Sequence, residues 1–142
     1  MANYYLNEAV IDLPDRVFTD KTIHGLESKL PNDQKLGVFV HRRPIEAGQT
    51  LRQLVDENVA LNQMRLSAFA VLDEVQASVG GLPGILLRTR WRSGGATFLQ
   101  RQAHVVVEGK LIILAVTTPL AEQAACDETF ESMVQTVTWR IG

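Results

Sequence analysis

Residues Gly84–Thr118, GILLRTRWRSGGATFLQRQAHVVVEGKLIILAVTT, decide the fold. Three β-rich runs lie in this stretch, Ile85–Trp91, Thr97–Val107 and Leu111–Thr118, separated by Ser93-Gly94-Gly95 and by Glu108-Gly109-Lys110. Short Gly-containing turns between such runs predict an antiparallel meander. Side chains two apart on a strand share a face. Phe98, Gln100, Gln102 and His104 therefore look one way from the middle strand, and Leu99, Arg101, Ala103 and Val105 the other. Solvated strand faces usually carry Lys, Glu or Thr, so two neutral amides in line with an aromatic ring are an unusual row. The row is mildly unusual but not diagnostic, and a partly exposed strand is its plain reading.

Before this meander, Thr50 followed by Gln53 forms a capping box, in which the Thr hydroxyl accepts from the third helical amide and the Gln reaches back to the cap. The pattern predicts a helix from there to about Leu66. At 100° per residue, Leu51, Leu54, Val55, Val59, Leu61 and Leu66 share one broad arc, the expected buried face. Asn58 and Asn62 fall in the middle of that arc. A buried amide without a partner costs about 1 to 3 kcal/mol, so each must be satisfied. Either neighbouring backbone or water supplies the partner, or the face lines an apolar groove that offers hydrogen bonds to an incoming chain.

Farther upstream, Tyr4–Leu6 and Ala9–Leu13 read as short strands closed by Pro14-Asp15. A mixed segment over Lys21–Leu30 stops at Pro31-Asn32-Asp33. A strand over Leu36–Ile45 follows, with Val38 and Val40 on one face and Gly37, Phe39 and His41 on the other. Phe69–Val79 reads as a strand ending at the turn Gly80–Gly84. Downstream, Thr118-Pro119 has the form of an N-cap with Pro at the first helical position. The helix itself is clearest at Phe130, Met133, Val134 and Val137, spaced i, i+3, i+4, i+7, and is expected to begin between Ala121 and Asp127.

These elements predict an α+β protein, one domain over residues 1–142, with a mainly antiparallel sheet of about six to eight strands and at least two packed helices. At this length, a single core can bury roughly 70% of the unfolded surface. The composition, 46% hydrophobic and 21% charged, is that of a globular protein without a disorder signature. Net charge is −2, which gives no global attraction to nucleic acid or an anionic membrane. One cysteine, Cys126, excludes an internal disulfide and a thiolate cage. The first residues lack a basic segment, and Asn7, Glu8 and Asp12 interrupt any apolar run. Leu111–Val116 is far short of the ~20 residues of a spanning helix. A cytoplasmic protein is expected.

Catalytic and metal motifs are absent. His24, His41 and His104 have no ligand spacing, and no nucleophile elbow or phosphate loop occurs. Cys126 reads as a small core residue. Arg88, Arg90 and Arg92 line one face of a strand with Trp91 on the other, and His41-Arg42-Arg43 forms a second basic cluster. Such residues could bind single-stranded nucleic acid, but the net negative charge favours a solvated, ion-paired face. The residues offer no convergent set for an enzyme and imply no cofactor.

Tyr5-Leu6-Asn7-Glu8, Ile11-Asp12-Leu13-Pro14-Asp15, Arg101-Gln102, Gly109–Thr118 and Pro119 together resemble the Eag chaperones, small DcrB-like proteins encoded beside type VI secretion effectors. The resemblance covers nearly the full length, although its motifs are short and none is a catalytic signature. It implies a PsbP-like α+β fold and a clamp-shaped homodimer. It also implies binding of the apolar N-terminal transmembrane segments of an effector carrying a PAAR region, before loading on the secretion spike. The family's binding positions correspond here to Ile23, Val38 or Val40, Asn58, Asn62, Leu66, Phe98 and Gln102, with Gln100 on the same strand face. Where the family tends to place a Gln and an Ala on the first helix, this chain has Asn58 and Asn62. Neutral amides suit that role, since they bond polar groups without burying an unpaired charge. The competing classes are a small-molecule or nucleic-acid binding module, and an enzyme.

Overall fold

The computed structural model describes residues 2–5, 9–13, 18–22 and 25–140. Its strands are β1 (Ala2–Tyr5), β2 (Ala9–Leu13), β3 (Phe18–Thr22), β4 (Gly25–Lys29), β5 (Lys35–Pro44), β6 (Ser67–Val79), β7 (Leu82–Ser93), β8 (Ala96–Val107), β9 (Lys110–Pro119) and β10 (Thr138–Trp139). Helix α1 (Leu51–Arg65) lies between β5 and β6, and α2 (Gln123–Thr136) between β9 and β10. Among the described residues, seven strands form one sheet in the order β3-β4-β5-β9-β8-β7-β6, and β1-β2-β10 form a second, three-stranded sheet. Every pairing is antiparallel. The expected α+β class, meander and strand pair at the N-terminus are all present.

The meander is the centre of the large sheet. Its register puts Leu87, Gln102, Ala115 and Phe39 in one cross-strand row, and Ile85, His104, Ile113 and His41 in the next. Gly94 and Gly95 both have positive φ (57° and 80°) in the two-residue β7–β8 turn, the backbone twist that joins adjacent strands most tightly.

One face of this sheet carries the main core. Val38, Val40, Ala103, Val105, Leu114 and Val116 pack beneath Cys126, Phe130 and Met133 of α2, with Ile11, Leu13 and Trp139 of the small sheet. The spacing of Ala125, Cys126, Thr129, Phe130 and Met133 gives α2 its buried stripe. Arg101 stands at its margin, its guanidinium 4.4 Å from the Phe130 ring centroid and 3.1 Å from Asp127. Trp139 donates its indole N–H to the Val79 carbonyl at 2.9 Å. The expected start of the second helix at Thr118-Pro119 is corrected here. Both residues extend β9, paired with Leu99 and Phe98. A 3-10 turn over Leu120–Glu122 then leads into α2 at Gln123, inside the expected window.

The other face carries α1. Its capping box is complete, with Gln53 N–H donating to Thr50 Oγ1 (3.2 Å) and Thr50 N–H to Gln53 Oε1 (2.9 Å). Leu54 packs on Leu111 and Ile113, and Val55 on Ile85 and Leu87. Arg52 ties the same end to β6 through Glu74, at 2.6 Å, and bonds Asp56 on its own helix. The expected apolar arc is shorter than its pattern, however. Leu61 is 38% exposed and its neighbour Met64 is 84% exposed. The aliphatic seating of α1 ends at Val59, which packs with Val55 against Ile85 and Leu87.

Candidate functional site

The second half of α1 turns Asn58, Asn62 and Leu66 toward the sheet, and beneath them lies a cleft of about 380 Å³. Ile113 and Ala115 of β9 and Gln100 and Gln102 of β8 form its floor, and Trp91 closes one end. His41, Arg42, Arg43 and Arg65 stand at the rim, where Arg43 donates to Glu57 at 2.8 Å. The cleft has a direct cause in the helix sequence. Stripe positions that are aliphatic at Leu51, Leu54 and Val55 become amides at Asn58 and Asn62, which do not seat on Ile113 and Ala115 as a Leu would. Both are half-buried, and neither has a side-chain hydrogen-bond partner among the described residues.

The floor amides are different, because they are already bonded to one another. Gln100 donates through Nε2 to Thr117 Oγ1 (2.8 Å), Gln102 donates through Nε2 to Gln100 Oε1, and Gln102 Oε1 lies 2.8 Å from His104 Nε2. Since Gln102 uses its amide nitrogen on Gln100, its oxygen accepts, which assigns the proton of the neutral imidazole to Nε2. Burial holds the His104 pKa down to about 4, so the ring is neutral over the physiological range. Its Nδ1 is buried without a partner. Gln102 is 3% exposed, so it serves the cleft as a fixed floor and not as a projecting contact.

The sequence-expected positions separate into three groups. Asn58, Asn62, Leu66, Gln100 and Gln102 come together in the cleft. Phe98 lies on the same face, stacked behind Trp91 with ring centroids 5.9 Å apart and planes at 23°. Val38 and Val40 lie elsewhere. They are 1% and 4% exposed in the core beneath α2, on the opposite face of the sheet, because the strand period gives the cleft face of β5 to Phe39 and His41. Ile23 lies outside the described residues. Sequence reasoning missed Trp91, Ile113 and Ala115 as lining. The two-residue turn Gly94-Gly95 carried a signal for the first, since it sets Trp91 opposite Phe98.

A second hollow, of about 630 Å³, lies beside the start of α1 and the β6–β7 turn, but its one charged residue, Arg52, is held by Asp56 and Glu74. No group of three His, Cys, Asp or Glu among the described residues could hold a metal ion. Cys126 is buried, its thiol lies 3.5 Å from the Val116 carbonyl, and burial pushes its pKa up to about 11, well away from a thiolate nucleophile. No helix among the described residues is long and apolar enough to cross a membrane.

No curated protein matches the sequence. Solved structures share the architecture at low identity, which makes the likeness one of fold. A Pseudomonas aeruginosa protein of unknown function, PA94, described as a putative regulator, superposes with a TM-score of 0.70 at 18% identity, over 92% of this chain and 91% of that one. LpqN of Mycobacterium tuberculosis, described as involved in cell envelope biogenesis, gives 0.68 at 13% identity over 92% and 82%. The cyanobacterial PsbP of Synechocystis sp. PCC 6803 gives 0.65 at 15% identity over 98% and 92%, so the expected PsbP-like fold is present. The DcrB family model matches residues 8–136, a span that takes in the cleft, both helices and the complete meander, and the chain therefore belongs to the DcrB family.

Proposed function

We propose that this protein is a non-catalytic chaperone or adaptor of the Eag type. It covers the apolar N-terminal transmembrane helices of a PAAR-containing type VI secretion effector in the cytoplasm and helps deliver them to the secretion spike. It acts as a homodimer, without inserting into a membrane and without binding nucleic acid. The observation that carries this reading is the cleft under the second half of α1, with a floor of Ile113, Ala115 and the mutually bonded Gln100 and Gln102, two half-buried asparagines that have no partner among the described residues, and Leu66 beside them. A stretch of ~20 apolar residues aggregates in water unless its surface is covered, and a groove beside a helix is a standard way to cover it. Unpartnered amides at the wall supply hydrogen bonds to the polar groups of such a helix without a buried charge. Exposed Phe39, paired with the floor residue Ala115 on the cleft face of β5, extends the apolar surface beyond the cleft.

Co-expression with an effector encoded beside this protein is the test. The effector's apolar region is expected to stay soluble and co-purify with the chain. Full solubility and stability of that effector alone would overturn the reading. A small-molecule binding module is the second reading, favoured by the cavity volume, which falls within the roughly 300 to 1,000 Å³ of ligand pockets. It would be supported by thermal stabilisation with metabolites and not with the effector.

A further inference from the structure

Among the described strands at a sheet edge, β1, β3 and β10 have four, five and two residues, whereas β6 has thirteen. Edges are commonly kept from pairing by brevity or by irregularity, and β6 is irregular only in its first half, with register shifts at Ser67/Ala70 and Val71/Asp73. From Asp73 to Val79 its ladder with β7 runs without a break, and Glu74, Val75, Gln76 and Ser78 are all exposed. This stretch carries no Lys or Pro, and the charge of Glu74 is met by Arg52. The turn that follows fixes which of its backbone groups are free. Gly80 and Gly81, with φ of 57° and 84°, make a two-residue turn between Val79 and Leu82. Residues flanking such a turn exchange both backbone hydrogen bonds, and bonded pairs then alternate along the ladder. Val79, Ala77 and Val75 therefore bond to β7. Ser78, Gln76 and Glu74 turn their N–H and C=O groups outward, where no further strand lies among the described residues.

We infer that Asp73–Val79 of β6 pairs antiparallel with the same segment of a second copy, about a twofold axis at Gln76. This gives the homodimer proposed above its place of contact, and it is argued from the sheet edge, not from the cleft. Centred on Gln76, the pairing engages all three outward-facing residues, since Gln76 bonds its own copy while Glu74 and Ser78 each bond the other in the partner. Any other axis carries at least one of the three into the shift beside Asp73 or into the Gly80-Gly81 turn. An axis at Asp73 or Glu74 also sets like charges face to face, which is unfavourable. With the axis at Gln76, Val75 meets the partner's Ala77, Glu74 meets the partner's Ser78, and no acidic side chain stands opposite its own copy. Opposite residues share a face, so both copies of α1 lie on one side of a sheet that takes seven strands from each copy. Both clefts then open on that side, and each member of a pair of apolar helices has a groove of its own.

The test is light scattering of the intact protein and of Gln76→Pro across a concentration series. The substitution removes an outward N–H and leaves the β6–β7 bonds in place, so the melting temperature is expected to hold. The dimer should weaken roughly tenfold or more, since one hydrogen bond is lost from each copy. Gln76→Cys is expected to cross-link copy to copy on oxidation, because directly opposite residues span a disulfide and Cys126 is buried. Ser67→Cys, in the shifted half of the strand, is not. An undiminished dimer in folded Gln76→Pro overturns this inference and leaves the homodimer standing on another face, and so does cross-linking of Ser67→Cys as readily as Gln76→Cys. If Gln76→Pro does not fold, the cross-link decides: its formation supports the pairing, and its absence overturns it. A monomer in the unaltered protein, with or without effector, overturns the pairing and the homodimer together.

Discussion

The amides of the cleft divide by whether they are bonded in the free protein, and substitution should divide them in the same way. Asn58→Ala and Asn62→Ala remove groups without internal partners, so stability should stay within about 0.5 kcal/mol while retention of the effector falls by roughly 5- to 150-fold each, from the loss of about 1 to 3 kcal/mol. Gln102→Ala strands His104 Nε2–H and Gln100 Oε1 in a buried setting, and should cost about 1 to 3 kcal/mol of folding stability. Chemical denaturation and effector pull-down on the same variants check both. His104 adds a pH signature. Its folded pKa, about 4, lies below the ordinary value of 6.5. As pH falls from 6.5 toward 4 the unfolded chain binds a proton that the folded chain refuses, so stability is lost over that window, by about 3 kcal/mol. His104→Gln keeps an N–H for Gln102 and should flatten the profile between those limits in denaturation curves measured from pH 7 to about pH 4.

Helix α1 is half seated, and that half-seating makes the cleft. Asn58→Leu with Asn62→Leu should press the second half of the helix onto Ile113 and Ala115. Each leucine that buries well should add about 1 to 2 kcal/mol, raising the melting temperature while effector retention is lost. A rise in stability with intact retention would show that the cavity is not where the effector sits. The sequence displayed this helix well, through Thr50 and Gln53 at its start and two asparagines in its apolar stripe. It could not display how far the seating continues, because Leu61 follows the same periodicity as Leu54 and yet faces out. Periodicity identifies a face and leaves open what stands opposite it. The strands show the same limit: alternation correctly paired Val38 with Val40, but which side of the sheet received α2 depends on packing among elements distant in the chain.

The sheet has one described edge strand of unusual length, β6, with Val71, Leu72 and Val75 exposed and register shifts at Ser67/Ala70 and Val71/Asp73. Such irregularities deter indiscriminate edge pairing. As part of the proposed function, the homodimer rests on the resemblance alone; it should appear in light scattering of the purified protein, and a monomer at tens of micromolar, with or without effector, would remove it. The fold was legible from its meander because Gly turns and strand alternation are local. The pairing of partners remained outside the sequence because no local pattern encodes an intermolecular register. Finally, the two tryptophans are optically separate witnesses. Trp139 is locked in the core with its indole N–H bonded to Val79, whereas Trp91 borders the cleft. In a Trp139→Phe background, the emission maximum of the remaining indole should shift to the blue as the cleft loses its water. Occupancy could then be followed in real time without any label, by a residue that the fold has already placed at the door.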